Sequence, residues 1–179
     1  RHDINNLVQV INIQLSKNTQ EGNKKAKEIV SGISDIMNST KTRRYCSNEI
    51  VNAVLFDKTS VAKEESIKII DDIILDNNTG IADFDICRVF INLLDNSINA
   101  LKNYTGDDKL LYLSCKQDND HIFIKCENKF SETIRKPEKK PELHGYGMKI
   151  VKDITEKYNG ELITQIQDTT FSTLAILKT

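Results

Sequence analysis

The segment DFDICRVFINLLDNSINALKN, residues 83 to 103, constrains this chain more than any other stretch. Read as a helix, it carries Phe84, Val89, Phe90, Leu93, Leu94, Ile98 and Leu101 around much of its circumference. A helix apolar over so wide an arc has to be buried by other elements, because water cannot cover it. Three asparagines interrupt it. Asn92, Asn96 and Asn99 stand four and three residues apart, on one helical face. Asparagine is an indifferent helix former, so a stripe of it within a buried helix calls for a partner. Two readings stay open on the residues alone. One is a solvated face; the other is a site for Mg²⁺ and phosphate oxygens, since a side-chain amide supplies a neutral, hard oxygen.

The neighbouring segments supply the covering layer. Residues 48 to 65, with Ile50, Val51, Val54, Leu55, Val61 and Ala62, have helical spacing, and SIKIIDDIIL reads as a strand. KLLYLSCKQD and HIFIKCEN alternate on either side of an Asp-Asn-Asp break, the pattern of a hairpin. GELITQIQD and TFSTLAILK close the chain as two further strands. The expectation is helices on one face of a mostly antiparallel mixed sheet. The Pro-bearing and Lys-rich stretch KFSETIRKPEKKPEL is neither helix nor strand throughout and reads as a mobile loop. It precedes HGYGMKIVKDI, where two of the seven glycines flank a tyrosine in front of an apolar helical pattern. That arrangement suits a tight turn, or a backbone that must approach an anionic ligand at a helix N-terminus.

Ahead of this unit, Ile4, Leu7, Val8, Ile11 and Leu15 form one helical series. Ala26, Ile29, Val30, Ile33, Ile36 and Met37 form a second, after the polar break SKNTQEGN. An antiparallel helical hairpin over residues 1 to 40 follows, and pairing with a second copy into a four-helix bundle would bury both stripes. The fold class expected is α+β: this hairpin, then an α/β two-layer sandwich over residues 48 to 179.

Composition narrows the function. The formal net charge of −1 argues against a nucleic-acid surface. Cys46, Cys87, Cys115 and Cys126 lack metal-ligand spacing and lie in apolar stretches, so they read as buried, reduced thiols in a reducing compartment. No apolar run reaches the roughly 20 residues of a membrane helix. The chain opens on Arg1 rather than Met and reads as a fragment, with a membrane anchor expected only upstream of it.

NLLDNSINAL, the asparagine of CENKF and HGYGMKIV together, in this order and spacing, resemble the ATP-binding domain of sensor histidine kinases. Their superfamily, GHKL, is shared with gyrase, mismatch-repair and heat-shock chaperone ATPases. The resemblance implies an ATP-dependent protein-histidine kinase with Mg²⁺. It assigns Asn92 and Asn96 to the metal and the triphosphate, and Asn128 to the adenine amino group. Gly145 and Gly147 would line the nucleotide at the hinge of a lid formed by residues 130 to 144, with His144 bordering the phosphates. The Asp-x-Gly-x-Gly usual after the strand is absent, leaving Asn128 alone. That departure, with the opening RHDINN, is similar to the quorum-sensing, peptide-responsive kinases of Gram-positive bacteria.

On a helix, His2 and Ile4 point about 200° apart, whereas Asn6 and Gln9 follow on the side of His2. His2 thus stands outside the apolar seam. By resemblance it is the phosphoacceptor, with Asp3 drawing a proton from the imidazole and Asn6 holding the water that removes phosphate from a response-regulator receiver domain. The homodimer would be cytoplasmic, as the inner part of a membrane-anchored sensor. His121, at the start of a strand, reads as a solvated residue. Two rival readings are a phosphorelay phosphotransferase without kinase activity and a non-enzymatic dimeric interaction module.

Overall fold

The computed structural model describes residues 43–131 and 146–179, together with Thr19, Glu21, Asn23, Lys24 and Lys27. The chain divides into two compact units, Arg1–Arg43 and Arg44–Thr179. In the first, Glu21, Asn23, Lys24 and Lys27 are helical and exposed, and the Asn23 N–H donates to the Thr19 carbonyl at 3.0 Å. Helical backbone therefore enters the polar break read as a turn, since polar side chains are no obstacle on a solvated face. The rest of the expected hairpin, with His2, Asp3 and Asn6, lies outside the described residues.

The second unit runs α1 (Glu49–Glu64), β1 (Lys68–Ile74), α2 (Asp83–Lys102), β2 (Leu110–Gln117), β3 (His121–Lys129), α3 (Tyr146–Lys157), β4 (Glu161–Gln167) and β5 (Thr170–Lys178). The strands form one sheet in the order β1-β2-β3-β5-β4. β1 pairs parallel with β2, and every other pairing is antiparallel. This is the mixed sheet expected from the alternating segments.

Alternation decides which face is dry. Leu111, Leu113 and Cys115 of β2, Ile122, Ile124 and Cys126 of β3, and Ala175 and Leu177 of β5 are all buried. They meet Ile86, Val89, Phe90, Leu93, Leu94 and Ile98 of α2, and Met148, Val151 and Ile154 of α3, in one core. Each large aliphatic or aromatic side chain removed from water there contributes about 1.5–3 kcal/mol. Phe84 departs from the expected core. It is 71 % exposed, because the helix turns that position away from the sheet in its first turn, where no other element covers it. Ile50 likewise faces solvent in the first turn of α1.

Polar contacts fix the helices to one another. Asn48 caps α1 through its Oδ1, which accepts from the Ile50 and Val51 N–H groups at 3.1 and 3.0 Å. Its amide nitrogen donates to Asp83 at the start of α2, at 2.6 Å. The nearly buried Lys58 of α1 bonds Asp95 of α2 at 2.7 Å. The turn after α3 has Asn159 in left-handed conformation at φ 50°, and the following Gly160 lies so close to β5 that a Cβ would stand 1.9 Å from the Ile176 carbonyl oxygen. Only glycine fits there. All four cysteines are free and buried; burial pushes the thiols of Cys115 and Cys126 up to about 12 and that of Cys87 to about 11.

Asp85, buried in the first turn of α2, accepts from Lys157 Nζ at 2.6 Å and from the Tyr158 hydroxyl at 2.8 Å. The hydrogen bond from Lys157 is the main cause that holds its carboxyl below the ordinary carboxylate range, aided by Tyr158 and against the opposing effect of burial. A depressed carboxylate stabilises the fold at neutral pH and loses that contribution as the pH falls from about 4 through the folded-state value. Asp85→Asn is therefore expected to be less stable than the parent at neutral pH and to lose less stability than the parent on acidification, as read from urea midpoints across the acid limb.

Candidate functional site

Asn128 ends the dry face of β3. In register across the sheet, it stands in a row with Ile69, Leu111, Phe171 and Ile166. It is 2 % exposed, a single amide among apolar side chains. Its nitrogen donates to the Lys129 carbonyl at 3.0 Å. A carbonyl can only accept, so the amide orientation is forced and Oδ1 points the other way. That oxygen is buried with no hydrogen-bond partner, the one such side-chain atom among the described residues. An unmet buried acceptor costs about 1–3 kcal/mol. A ligand that brings an N–H or amino donor to this end of the sheet would satisfy it.

Asn92 is oriented in the same way. Its Nδ2 donates to the Arg88 carbonyl one turn earlier, at 2.6 Å, which leaves Oδ1 as the outward atom. That oxygen faces the first turn of α3: a Cβ on Gly147 would stand 2.7 Å from it. Asn92 and Gly147, 55 residues apart in sequence, are thus brought together. Asn96 is half-buried and makes no hydrogen bond among the described residues, whereas Asn99 is exposed. Of the three, Asn92 is the one in contact with the first turn of α3, and Asn99 fits the solvated reading.

The two ends of this site are connected by α2. The Ser97 side chain lies beside the Cys126 thiol, two residues before Asn128. Ser131, just beyond β3, bonds the Thr105 N–H at 3.3 Å, after the C-terminus of α2. Asn128 accordingly lies beside the C-terminal half of α2, and Asn96 and Asn92 step away from it toward the helix N-terminus. Among the described residues no group of three His, Cys, Asp or Glu side chains could hold a metal ion by itself. A cation here would take amide oxygens and bring its remaining oxygen ligands with the substrate.

Gly145, His144 and most of the expected lid lie outside the described residues. Tyr146, between the two glycines, is 82 % exposed. His121 is half-exposed at the β2–β3 turn with Nδ1 3.7 Å from Asp118, as a solvated residue should be. Sequence reasoning missed Arg88, whose carbonyl orients Asn92, and the apolar flank of Asn128 formed by Leu111 and Phe171. The first was readable from its spacing of four from Asn92; the second depends on strand register, which no local signal gave.

Residues 81–177 match the family model described as GHKL domain, more than half of the chain. The chain belongs to that family. No curated protein matches it. Among solved structures, the catalytic domain of the histidine kinase ThkA, in a nucleotide-free form, is similar at 16 % identity and a TM-score of 0.53, over 73 % of this chain and 91 % of that one. The Acinetobacter baumannii histidine kinase AdeS is similar at 14 % identity and a TM-score of 0.50, over 99 % and 97 % of the two chains. A histidine kinase from Burkholderia phymatum is similar at 9 % identity and a TM-score of 0.56, over 87 % and 80 %. At such identities the likeness establishes the fold, which is that of histidine kinase catalytic domains. Among the described residues no helix is long and apolar enough to cross a membrane.

The contact between Gly147 and Asn92 is testable without any ligand. A methyl group at Gly147 meets the end of a side chain rather than backbone, and alanine is the better helix former by about 1 kcal/mol. Gly147→Ala is expected to change stability by less than about 0.5 kcal/mol in the parent, where the gain is offset by displacing Asn92, and to raise it by about 1 kcal/mol in an Asn92→Ala background. Urea unfolding of the four proteins measures that coupling.

Proposed function

We propose that this chain is the catalytic core of a protein-histidine kinase that binds ATP with Mg²⁺, transfers the γ-phosphoryl group to His2, and passes it to an aspartate of a response-regulator receiver domain. The observation that carries the reading is the buried, unmet Oδ1 of Asn128. The 6-amino group of adenine is the donor it lacks, and Leu111 and Phe171 offer the base an apolar flank. The outward oxygen of Asn92, with the Asn96 amide one turn further along, suits Mg²⁺, whose contribution when bound is to neutralise charge on the phosphates. Gly145, with Gly147, would let backbone approach the nucleotide, and His144 would border the phosphates.

The transfer forms an N–P bond at the His2 imidazole and breaks the bond between the γ-phosphorus and the ADP oxygen. The imidazole proton leaves toward Asp3. Asn92 stands where a carboxylate would be needed to activate water, and an amide accepts no proton at neutral pH. Hydrolysis is thereby held back while a better nucleophile is awaited. Asn6 would orient the water that later removes phosphate from the regulator. The protein acts as a homodimer on the cytoplasmic side, in this reading, as one part of a peptide-responsive signalling kinase.

Calorimetric titration with ATP, with and without Mg²⁺, tests the first half. Saturable, Mg²⁺-dependent binding is expected, and its absence would favour a phosphotransferase without kinase activity. Labelling with γ-phosphate-labelled ATP tests the second half: an acid-labile, base-stable phosphoryl group is expected, and His2→Gln should abolish it.

Asn128 separates stability from function. Asn128→Leu removes an unmet buried acceptor, so the fold is expected to keep its stability or gain about 1 kcal/mol, while ATP affinity falls by roughly tenfold or more. Thermal unfolding and the same titration read both quantities. A variant that gains stability and still binds ATP as the parent does would show that the oxygen is not there for the base.

A further inference from the structure

We infer that Arg88 binds the terminal phosphate of the nucleotide and makes this site select a triphosphate over a diphosphate, an inference that rests on the nucleotide-binding reading above. α2 carries two cationic side chains, Arg88 and Lys102. Lys102 is engaged by Glu65 at 2.8 Å. Lys58, Lys116, Lys129 and Lys157 are likewise taken, by Asp95, Asp72, Asp108 and Asp85. The Arg88 guanidinium has no hydrogen bond and no ion pair among the described residues. It is half-exposed, and its carbon stands 5.5 Å from the centroid of the Phe84 ring.

Position gives that free charge its meaning. A base held at Asn128 lies beside the C-terminal half of α2, so the phosphate chain runs past Asn96 and Asn92 toward the helix N-terminus. Arg88 is the next residue on that stripe, four before Asn92 and about 6 Å further along the axis. It is therefore beyond the asparagines on the side where a γ-phosphate, and not a β-phosphate, ends. The carboxylates nearby have their own hydrogen-bond partners, and Arg88 reaches Asp85 only as a charge at longer range, without a hydrogen bond to it. Asp85 is bonded to Lys157 and Tyr158, and Asp83 to the Asn48 amide.

The same geometry accounts for Phe84. A large aromatic ring left 71 % exposed does nothing for the core, but a guanidinium over its face is held at lower conformational freedom than one in open water. Arg88 also shares a peptide unit with the site: its carbonyl is the acceptor that turns the Asn92 oxygen outward. The planar fork of donors on a guanidinium suits two oxygens of one phosphate, which a lysine cannot match.

The test is calorimetric titration of the 179-residue chain with MgATP and, separately, MgADP. In Arg88→Ala, ATP affinity is expected to fall by about tenfold or more, the size of a lost charge-assisted hydrogen bond, with ADP affinity within about twofold of the parent. Arg88→Lys should restore part of the ATP affinity, and Phe84→Ala should lose a smaller part of it. Equal losses for ATP and ADP, or no loss for either, would overturn the assignment. A parent chain that binds neither nucleotide would overturn the nucleotide-binding reading itself, and the role of Arg88 with it. Because Arg88 and Phe84 are exposed to solvent and the Arg88 guanidinium makes no hydrogen bond among the described residues, unfolding temperatures close to the parent's are expected for each variant.

Discussion

Burial of α2 governs everything else in this unit. Its apolar residues occupy so much of the helix that only one rotation about the axis puts Ile86, Val89, Phe90, Leu93, Leu94 and Ile98 all on the sheet or under the neighbouring helices. Once that rotation is fixed, the remaining stripe has no freedom. Asn92 comes to the margin facing α3, Asn96 stays half-buried one turn on, Asn99 goes to solvent, and Phe84 and Arg88 continue the stripe past the covered region. The site is the part of a core helix that the core does not use.

Polar contacts sharpen what burial sets. Bonds from Asn48 to Asp83, Lys58 to Asp95, and Lys157 and Tyr158 to Asp85 tie α2 to α1 on one side and to the end of α3 on the other. They act along the helix, where apolar packing alone would tolerate sliding. The Lys58 pair is dry at one end and wet at the other, with side chains 9 % and 44 % exposed, so its worth lies more in fixing position than in free energy.

Much of this was legible in the sequence. All five strands were read from their apolar segments, two of them from clear alternation, and the Asp-Asn-Asp break marked the β2–β3 turn, where Asp118 accepts from the N–H groups of Asp120 and His121. Spacing put Asn92 and Asn96 on one face. What stayed hidden has a common cause: it depends on which elements end up side by side. Phe84 looked like core because hydrophobicity says how much a side chain avoids water and not whether a neighbour arrives to cover it. The parallel pairing of β1 with β2, and the proximity of Asn128 to Leu111 and Phe171, are matters of register across the sheet. The direction in which the Asn92 and Asn128 amides point follows from backbone carbonyls that no side-chain pattern reveals.

The four buried thiols have a use beyond filling space. Cys46 lies before α1, Cys87 on α2, Cys115 on β2 and Cys126 beside Ser97 near the buried amide of β3. In the closed molecule none is both exposed and ionised, so an alkylating reagent reacts only as fast as each neighbourhood opens. The chain thus carries its own depth gauges at four points of the core, without any engineered label. A molecule that settles against Asn128 would slow the clock at Cys126 more than at Cys46, and the difference would report where in the protein binding is felt.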